Sequence, residues 1–225
     1  MAGTSKISVI IPTMNEERGI GLVMNEVKSA LEGKRPFEIL VVDTNSKDLT
    51  REIATGHGAI VVDEPRRGYG RAYKTGFERA TGDVIATLDA DLTYPASDIL
   101  SLVERLETEG LEFITTNRFA NMQKGAMSAK HRFGNQVLSV AMRMLFRVKV
   151  EDSQSGMWVF RKEVLPRLVL TSDGMAMSEE IKIEAFMKCR ATEVPITYRP
   201  RMGEVKLQSW KDGMGNLRFL LEKRF

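Results

Sequence analysis

The sequence predicts an α/β fold in which a mostly parallel sheet carries helices on both faces. Short apolar runs rich in β-branched residues alternate with amphipathic helical stretches through residues 7–116. This alternation is typical of a doubly wound parallel sheet. Polar or charged residues follow nearly every apolar run, and in such sheets ligands collect beyond the carboxyl ends of the strands. At 225 residues, 43% of them hydrophobic, the chain suits one domain.

Five apolar runs predict the first five strands. Helices are expected between them, ending near residues 31, 55 and 80, and another is predicted over 95–108. The strands are expected at residues 7–11, 37–42, 59–62, 84–88 and 112–116.

Beyond residue 118 the periodicity weakens. A loop is predicted over 121–128, where Gly, Asn, Gln and Ser accumulate, and a helix over 137–150. The remaining predicted elements are a strand at 157–160, a helix at 178–188, a strand at 191–198 and an amphipathic helix at 210–225.

Two aspartates, Asp89 and Asp91, follow the fourth predicted strand, one residue apart, before the Pro95 helix. Left unpaired at the end of a buried strand, two carboxylates repel each other and lose solvation. A hard divalent cation such as Mg²⁺ or Mn²⁺ removes both penalties, and Mg²⁺ commonly fills its other positions with substrate phosphates. The pattern therefore predicts a metal site for a diphosphate. The alternative is a solvated turn with two surface aspartates.

Asp43 and a basic loop are further candidates at the same sheet edge. Asp43 ends the second predicted strand, where a carboxylate can accept N–H bonds from a nucleobase. Its alternative role is that of a helix cap or turn former. Arg66, Arg67 and Arg71 share a loop with two glycines and suit phosphate oxygens, because Arg binds phosphate in a bidentate fashion. The alternative for this loop is a solvated basic turn.

Positive charge is concentrated in two regions, although the net charge is only +3. Residues 118–149 hold seven Lys or Arg and no Asp or Glu, and residues 199–225 hold seven basic residues against three acidic ones. In the 137–150 helix, basic residues are interleaved with apolar ones, which favours an element that lies on a membrane surface. The alternative is an internal helix whose arginines snorkel to solvent. A nucleic-acid partner is not expected.

Three further features concern the compartment and the second half of the chain. Cys189 is the sole cysteine, which fits a reducing, cytoplasmic compartment. An apolar run of the ~18 residues that a spanning helix needs is absent from the sequence, so membrane attachment is expected to be peripheral. Asp152 lies beside a polar turn and is interpreted as part of an acceptor site or as a cap. Arg199, Arg201 and Lys206 are candidates to close over a diphosphate.

Short motifs in order along nearly the whole chain give a family likeness. The chain resembles a family 2 glycosyltransferase, specifically the dolichyl-phosphate mannose synthase group. The motifs are VIIPTMNE at 9–16, VVD at 41–43 with Ser46 and Asp48, GYGRAY at 68–73, TGDVI at 81–85, LDADL at 88–92 with Pro95, NR at 117–118, DSQSG at 152–156, EVP at 193–195 and GEVKL at 203–207.

The resemblance implies a GT-A fold and transfer of a sugar, with inversion, from a nucleotide-sugar to a polyprenyl (dolichyl) phosphate on the cytoplasmic face of a membrane. It implies a nucleotide-sugar-binding half at residues 1–118 and an acceptor-binding half at 119–225. Carried over residue by residue, it gives the metal to Asp89 and Asp91, and these two residues and Arg118 are the expected catalytic residues. It gives the lipid phosphate to Arg118 and Arg132, near Asp152. The donor would contact Pro12, Asn15, Glu16, Asp43, Arg71, Ala90, Arg201 and Lys206.

Two departures and several alternatives remain at this point. Thr44 stands where the family often has a second Asp, and the Arg201–Lys206 spacing looks one residue short, so Arg199 is an alternative to Arg201. GDP-mannose is the first choice of donor, with UDP-glucose and UDP-N-acetylglucosamine as alternatives. A soluble acceptor, a nucleotidyltransferase and a non-catalytic nucleotide-sugar-binding module are the competing functions.

Overall fold

The computed structural model describes residues 4–203 and 209–225, the side chains of 209–212 excepted. Within this part of the chain seven strands form one sheet in the order β3-β2-β1-β4-β6-β5-β7. All neighbouring strands pair in parallel except β6, which is antiparallel to both β4 and β5. The predicted mostly parallel α/β sheet is confirmed. The strands are β1 Ile7–Thr13, β2 Phe37–Asp43, β3 Ile60–Asp63, β4 Val84–Thr87, β5 Phe113–Met122, β6 Trp158–Arg161 and β7 Ala191–Tyr198.

Helices cover both faces of the sheet because its strands alternate their side chains between two cores. In β1, Ile7, Val9 and Ile11 face a core shared with α1 and α4, whereas Ile10 faces a second core shared with α3 and α6. A third, smaller cluster joins α5, α6 and α7. The helices are α1 Ile20–Leu31, α2 Thr50–Gly56, α3 Tyr69–Arg79, α4 Ile99–Thr108, α5 Ala129–Phe146, α6 Met177–Lys188 and α7 Ser209–Arg224, with 3₁₀ turns at Ala96–Asp98 and Lys162–Arg167.

The structure departs most from the predicted elements between β5 and α5. Strand β5 continues to Met122 instead of ending near 116, so the loop predicted over 121–128 begins only after residue 122. Helix α5 begins eight residues earlier than predicted, at Ala129, where the Ser128 side chain caps it by accepting from the His131 N–H. It ends at Phe146, before the predicted residue 150, because Arg147 takes the left-handed conformation with φ 57°. The predicted boundaries of this helix are therefore wrong at both ends.

The helices of the described residues differ in length and apolarity. None of them combines the length and apolarity that crossing a bilayer requires.

Candidate active site

The predicted site residues gather at the carboxyl edge of the sheet. Asn15 and Glu16 follow β1, Asp43 ends β2, and Asp89 and Asp91 follow β4. Because β2, β1 and β4 are consecutive in the sheet, these three groups lie side by side. The convergence that the parallel topology predicts is therefore present in the structure.

The turn after β4 holds Asp91 rigidly. Asp91 is 2% exposed, and its Oδ1 accepts the backbone N–H of Thr93 at 3.0 Å and the Thr93 hydroxyl at 2.6 Å. Its Oδ2 lies 2.7 Å from a guanidinium nitrogen of Arg201 but accepts no well-aligned hydrogen bond from the described residues. The next residue, Leu92, has φ 65°, which costs a side chain of this kind about 1–2 kcal/mol. The turn is strained and tightly held, which is common where a backbone is shaped for a ligand.

Negative charge at this turn is only partly compensated. Burial raises the pKa of Asp89, and the Asp91 carboxylate raises it further, against the opposing effect of Arg201 and Arg118. The two carboxylates are therefore short of positive charge. A divalent cation would supply it, and the buried Oδ2 of Asp91 would accept it as a ligand.

A cation at Asp89 and Asp91 would take only part of its ligands from the protein. The described residues contain no group of three or more His, Cys, Asp or Glu side chains that could hold a metal by themselves. Two carboxylates are the protein ligands that Mg²⁺ usually takes when substrate phosphates complete its shell. The residues present fit a metal that binds together with a phosphorylated ligand.

The Asp43 carboxylate already has hydrogen bonds and an ion pair within the protein. Its side chain is buried, and its oxygens accept the Thr13 hydroxyl at 3.1 Å, the Ser46 backbone N–H at 3.1 Å and the Ser46 hydroxyl at 2.5 Å. Arg51 adds an ion pair at 3.1 Å. The turn-forming role that the sequence left open for Asp43 is thus present, and contact with a nucleobase stays a prediction.

The loops after β1 and β2 are bonded to each other. Asn15, with φ 57°, donates its backbone N–H to the Ser46 hydroxyl at 2.8 Å and accepts the Lys47 N–H at 2.7 Å. The Glu16 N–H is bonded to the Thr50 hydroxyl at 2.7 Å. These bonds hold the predicted donor-binding segment, which also includes the half-buried Pro12, beside Asp43.

A buried carboxylate that the sequence did not single out organises the basic loop. Glu64 is 2% exposed and accepts the Arg66 guanidinium at 2.8 Å and that of Arg71 at 3.1 Å. The Arg66 hydrogen bonds hold the pKa of Glu64 far below its usual range. Arg66 and Arg71 are therefore anchored cations in a fixed loop, and their phosphate contacts stay predictions. In the sequence the available signal was an acidic residue two positions before a basic loop, and its burial could not be predicted.

Arg118 and Asp152 form a buried ion pair. Asp152 is 0% exposed and accepts three bonds from Arg118: the backbone N–H at 2.9 Å, Nε at 2.7 Å and Nη2 at 2.8 Å. The guanidinium also lies over the Tyr198 ring, 5.3 Å from its centroid. Burial alone would raise the pKa of Asp152, but Arg118 lowers it, so the carboxylate is ionised. The two predicted acceptor-side residues are brought together, and Asp152 is the group that orients Arg118.

The segment 152–156 links this pair to the Asp89 side of the site. The Gly156 N–H donates to the Tyr94 hydroxyl at 2.7 Å, and its carbonyl accepts the Thr87 hydroxyl at 2.8 Å. All four tyrosines of the chain have a raised pKa, chiefly through burial and in addition through Asp89. They are therefore neutral hydroxyl groups near Asp89. No periodic pattern in the sequence predicts this cluster of Tyr69, Tyr73, Tyr94 and Tyr198.

Some of the remaining predicted site residues lie at the Asp89–Asp91 turn and others lie away from it. Ala90 is 3% exposed within the turn, and its carbonyl packs against Gly19 at the start of α1. Arg201 reaches Asp91, whereas Arg199 pairs with Glu26 of α1 at 2.7 Å, so the geometry favours Arg201 over Arg199. Arg132 is exposed in the first part of α5. Lys206 lies outside the described residues.

Comparisons with known proteins agree with this architecture. The model of Glycosyl transferase family 2 matches residues 8–169. The chain is 37% identical over 218 residues to the low-salt glycan biosynthesis hexosyltransferase Agl6 of Haloferax volcanii. The aligned residues cover 96% of this chain and 53% of that protein. It is 32% identical to the dolichyl-phosphate hexose transferase of the same organism, covering 92% of this chain and 89% of that protein. The chain thus spans about half the length of the first of these relatives.

A solved structure has the same fold. Glucosyl-3-phosphoglycerate synthase from Mycobacterium tuberculosis, crystallised with Mn²⁺, UDP and glucosyl-3-phosphoglycerate, superimposes with a TM-score of 0.79 at 24% identity, over 99% of this chain and 80% of that one. The predicted GT-A fold is confirmed by this likeness. Since the family model covers most of the chain and relatives above 30% identity align over more than nine-tenths of it, the chain belongs to glycosyl transferase family 2.

Proposed function

We propose that this glycosyltransferase moves a hexose, with inversion, from a nucleotide-sugar to a polyprenyl phosphate at a membrane surface. One observation carries the proposal. A carboxylate pair whose negative charge Arg201 compensates only in part, Asp89 and Asp91, lies on the same sheet edge as the buried guanidinium of Arg118. The first site suits a metal–diphosphate and the second suits a phosphate acceptor. Residues 1–118 would supply most of the donor site and residues 119–225 most of the acceptor site, with Arg118 and Arg201 each serving the other half.

On the donor side, Asp89 and Asp91 would hold Mg²⁺ or Mn²⁺ against the diphosphate. When bound, the metal neutralises charge that develops on the leaving nucleotide. The Arg201 guanidinium, 2.7 Å from Asp91, is close enough to turn from that carboxylate to a phosphate oxygen. Asn15, Glu16 and Asp43 would border the nucleoside, because their loops are bonded together on the β1–β2 side of the turn.

On the acceptor side, Arg118 would orient a phosphate that is already anionic near neutral pH. Such a nucleophile needs no strong general base, so positioning is the main task of the protein. Asp152 binds the Nε and Nη2 edge of Arg118, which leaves Nη1 as the edge for the acceptor. Arg132, exposed in the first turn of a helix with no acidic residue there, would add a second charge.

Membrane attachment is supported by an exposed apolar stripe on α5. Phe133, Val137, Val140 and Met144 are spaced at helical intervals and are 69%, 45%, 44% and 76% exposed. Leu138 and Met142 on the opposite side are buried. Exposed apolar residues beside Arg132, Arg143 and Arg147 suit an anionic bilayer surface.

Vesicle binding tests the membrane part. Phe133→Asp and Met144→Asp, together with an Arg143→Ser/Arg147→Ser double variant, should each reduce co-sedimentation with anionic liposomes. Leu49→Asp is the control, since Leu49 is 60% exposed but lies outside α5, before α2. Equal sedimentation of all variants and the wild type would rule out α5 as the attachment surface.

Nucleotide release tests the reaction and identifies the donor. GDP-mannose, UDP-glucose and UDP-N-acetylglucosamine are offered with farnesyl phosphate or 3-phosphoglycerate, with and without Mn²⁺. We expect metal-dependent release of a nucleoside diphosphate with farnesyl phosphate, GDP-mannose being the first choice of donor. Turnover only with 3-phosphoglycerate would give the chain a soluble acceptor. In a parallel assay supplied with a nucleoside triphosphate, release of pyrophosphate would make the chain a nucleotidyltransferase.

A further inference from the structure

Helix α6 carries a lysine that the proposed function does not use. Lys182 is 0% exposed, and so are its neighbours Glu179 and Glu180 in the same helix. Lysine is almost never fully buried unless its ammonium group has defined partners. The partners of Lys182 therefore indicate what it is for.

The ammonium group of Lys182 binds the backbone that carries the acceptor-side ion pair. Its Nζ donates at 2.8 Å to the carbonyl of Asp152 and at 2.8 Å to the carbonyl of Ser153. Both carbonyls belong to the irregular segment between α5 and β6, which has no strand partner to satisfy them. A buried carbonyl without a hydrogen bond costs about 1–3 kcal/mol, so Lys182 is needed to keep this backbone where it is.

A half-buried carboxylate holds the other side of the same backbone. Glu193 of β7 accepts the N–H of Glu151 and the N–H of Asp152, each at 2.9 Å. The peptide units around Asp152 are thus fixed through their amides by Glu193 and through their carbonyls by Lys182. Because the Asp152 side chain starts from this backbone, the direction of its carboxylate is fixed as well.

The charge of Lys182 acts in the same direction. Burial and the nearby Arg118 guanidinium lower the pKa of Lys182 to about 7, while Asp152, Glu193 and Glu179 oppose that shift and favour the charged form. The lysine in turn helps to lower the pKa of Asp152, although Arg118 has the larger effect. An ionised Asp152 is what keeps the guanidinium of Arg118 in its bidentate arrangement.

We propose that Lys182 is a positioning residue for the acceptor: by holding the Asp152–Ser153 backbone, it sets the orientation of the Arg118 guanidinium. This inference rests on the proposed role of Arg118 toward the acceptor phosphate. Lys182 itself lies behind the pair and touches no substrate.

The first test observes Arg118 directly and needs no substrate. In ¹⁵N-labelled protein, the Nε–H of Arg118, bonded to Asp152 at 2.7 Å, should give a slowly exchanging signal that is assigned by its loss in Arg118→Lys. Lys182→Met should accelerate the exchange of this proton at least tenfold. Lys162→Met is the matched control, because Lys162 also donates to a backbone carbonyl, that of Ala80. This contact lies at the ends of α3 and β6, away from the Arg118–Asp152 pair. The Arg118 signal of Lys162→Met should match the wild type.

The second test separates binding of the acceptor from binding of the donor. With farnesyl phosphate, Lys182→Met should raise the acceptor KM at least tenfold and leave donor affinity within twofold, whereas Lys162→Met should change neither. Lys182→Gln, which retains an N–H donor, should lie between Lys182→Met and the wild type. This ordering is not expected from a general loss of stability.

The outcomes separate the two hypotheses. An unchanged acceptor KM in Arg118→Lys would refute the proposed acceptor site, and the exchange of the Arg118 proton would still decide the role of Lys182. A raised KM in Arg118→Lys with wild-type exchange and KM in Lys182→Met would overturn the positioning role alone. If neither Lys182→Met nor Lys182→Gln folds, Lys182 serves the fold as a whole and the inference is likewise wrong.

Discussion

Gly156 is the residue at which a single added methyl group tests the site most sharply. A Cβ on Gly156 would overlap the Tyr69 hydroxyl and lie 3.6 Å from that of Tyr94. Real Cβ contacts are not closer than 3.0 Å, so one of the groups would have to move by about 1 Å. Neither is free to do so: Gly156 is bonded to Tyr94 and Thr87, and Tyr69 packs edge-to-face on Tyr73 at 4.8 Å.

We therefore expect Gly156→Ala to lose about 1–3 kcal/mol of unfolding free energy, as overpacked interiors do. Because the segment joins Asp152 to the wall near Asp89, we also expect turnover to fall about 100-fold, the effect of a ~1 Å misplacement in an active site. Urea unfolding and the initial rate of nucleotide release measure the two effects.

Gly56→Ala is the control for this substitution. Gly56 is the last residue of α2 and has nothing within 4 Å of an added Cβ. Alanine should leave turnover unchanged and stability equal or higher by up to about 1 kcal/mol. If Gly156→Ala has wild-type stability and turnover, the packing of segment 152–156 against the tyrosines does not shape the site.

Three further predictions concern charged groups. Arg201→Gln should bind Mn²⁺ about tenfold more tightly without nucleotide, since a cation 2.7 Å from Asp91 is removed; Arg199→Gln is the control, and weaker binding in Arg201→Gln, measured by electron paramagnetic resonance, would contradict this. Glu64→Gln should cost about 1–3 kcal/mol in urea unfolding at pH 7, because it removes the charge of a buried carboxylate that accepts hydrogen bonds from Arg66 and Arg71; a loss below 0.5 kcal/mol would refute this. Although burial raises it, hydrogen bonds from Ser8, Lys6 and Thr81 lower the pKa of Glu38 from 4.5 to about 2. The wild type should therefore exceed Glu38→Gln in stability above pH 4.5 by about 1–3 kcal/mol and lose this advantage as the pH falls toward 2; a pH-independent difference would argue against it.

Local sequence patterns predicted the sheet well because its central strands β1, β2 and β4 are largely buried on both faces. The runs at β1, β2 and β4 are apolar, short and followed by polar residues, so the gathering of those polar residues at the carboxyl edge of the sheet could be predicted. Asp89 and Asp91 were recognised because two carboxylates after a buried strand are costly without a partner.

The second half of the chain depends on contacts that a local pattern does not contain. Strand β5 runs past Asn117 because, after a bulge, Asn121 and Met122 pair with Thr197 and Tyr198 of β7, some 75 residues away. Helix α5 could not be placed at Ala129 because its first two turns are exposed and lack apolar periodicity.

Buried charged residues were the other feature that the sequence did not predict. Glu64 and Lys182 look like surface residues in sequence. The partners of Lys182 lie in a distant part of the chain, and Glu64 is bonded to Arg71 and Thr75 of α3 as well as to Arg66 of its own loop. Only tertiary structure shows that Glu64 anchors the basic loop and that Lys182 binds the backbone of the acceptor side. Polar residues of this kind are buried because they are satisfied, and satisfaction is not a local property.

Binding of nucleoside diphosphate in the presence and absence of Mn²⁺ tests the central claim most directly. Asp91→Asn is the informative variant, because Oδ1 can still accept from Thr93 while the charge is lost. Titration calorimetry with GDP and UDP should show Mn²⁺-dependent binding to the wild type and at least 100-fold weaker binding to folded Asp91→Asn. Equal, Mn²⁺-independent binding to both proteins would contradict a metal-bridged diphosphate at the Asp89–Asp91 turn.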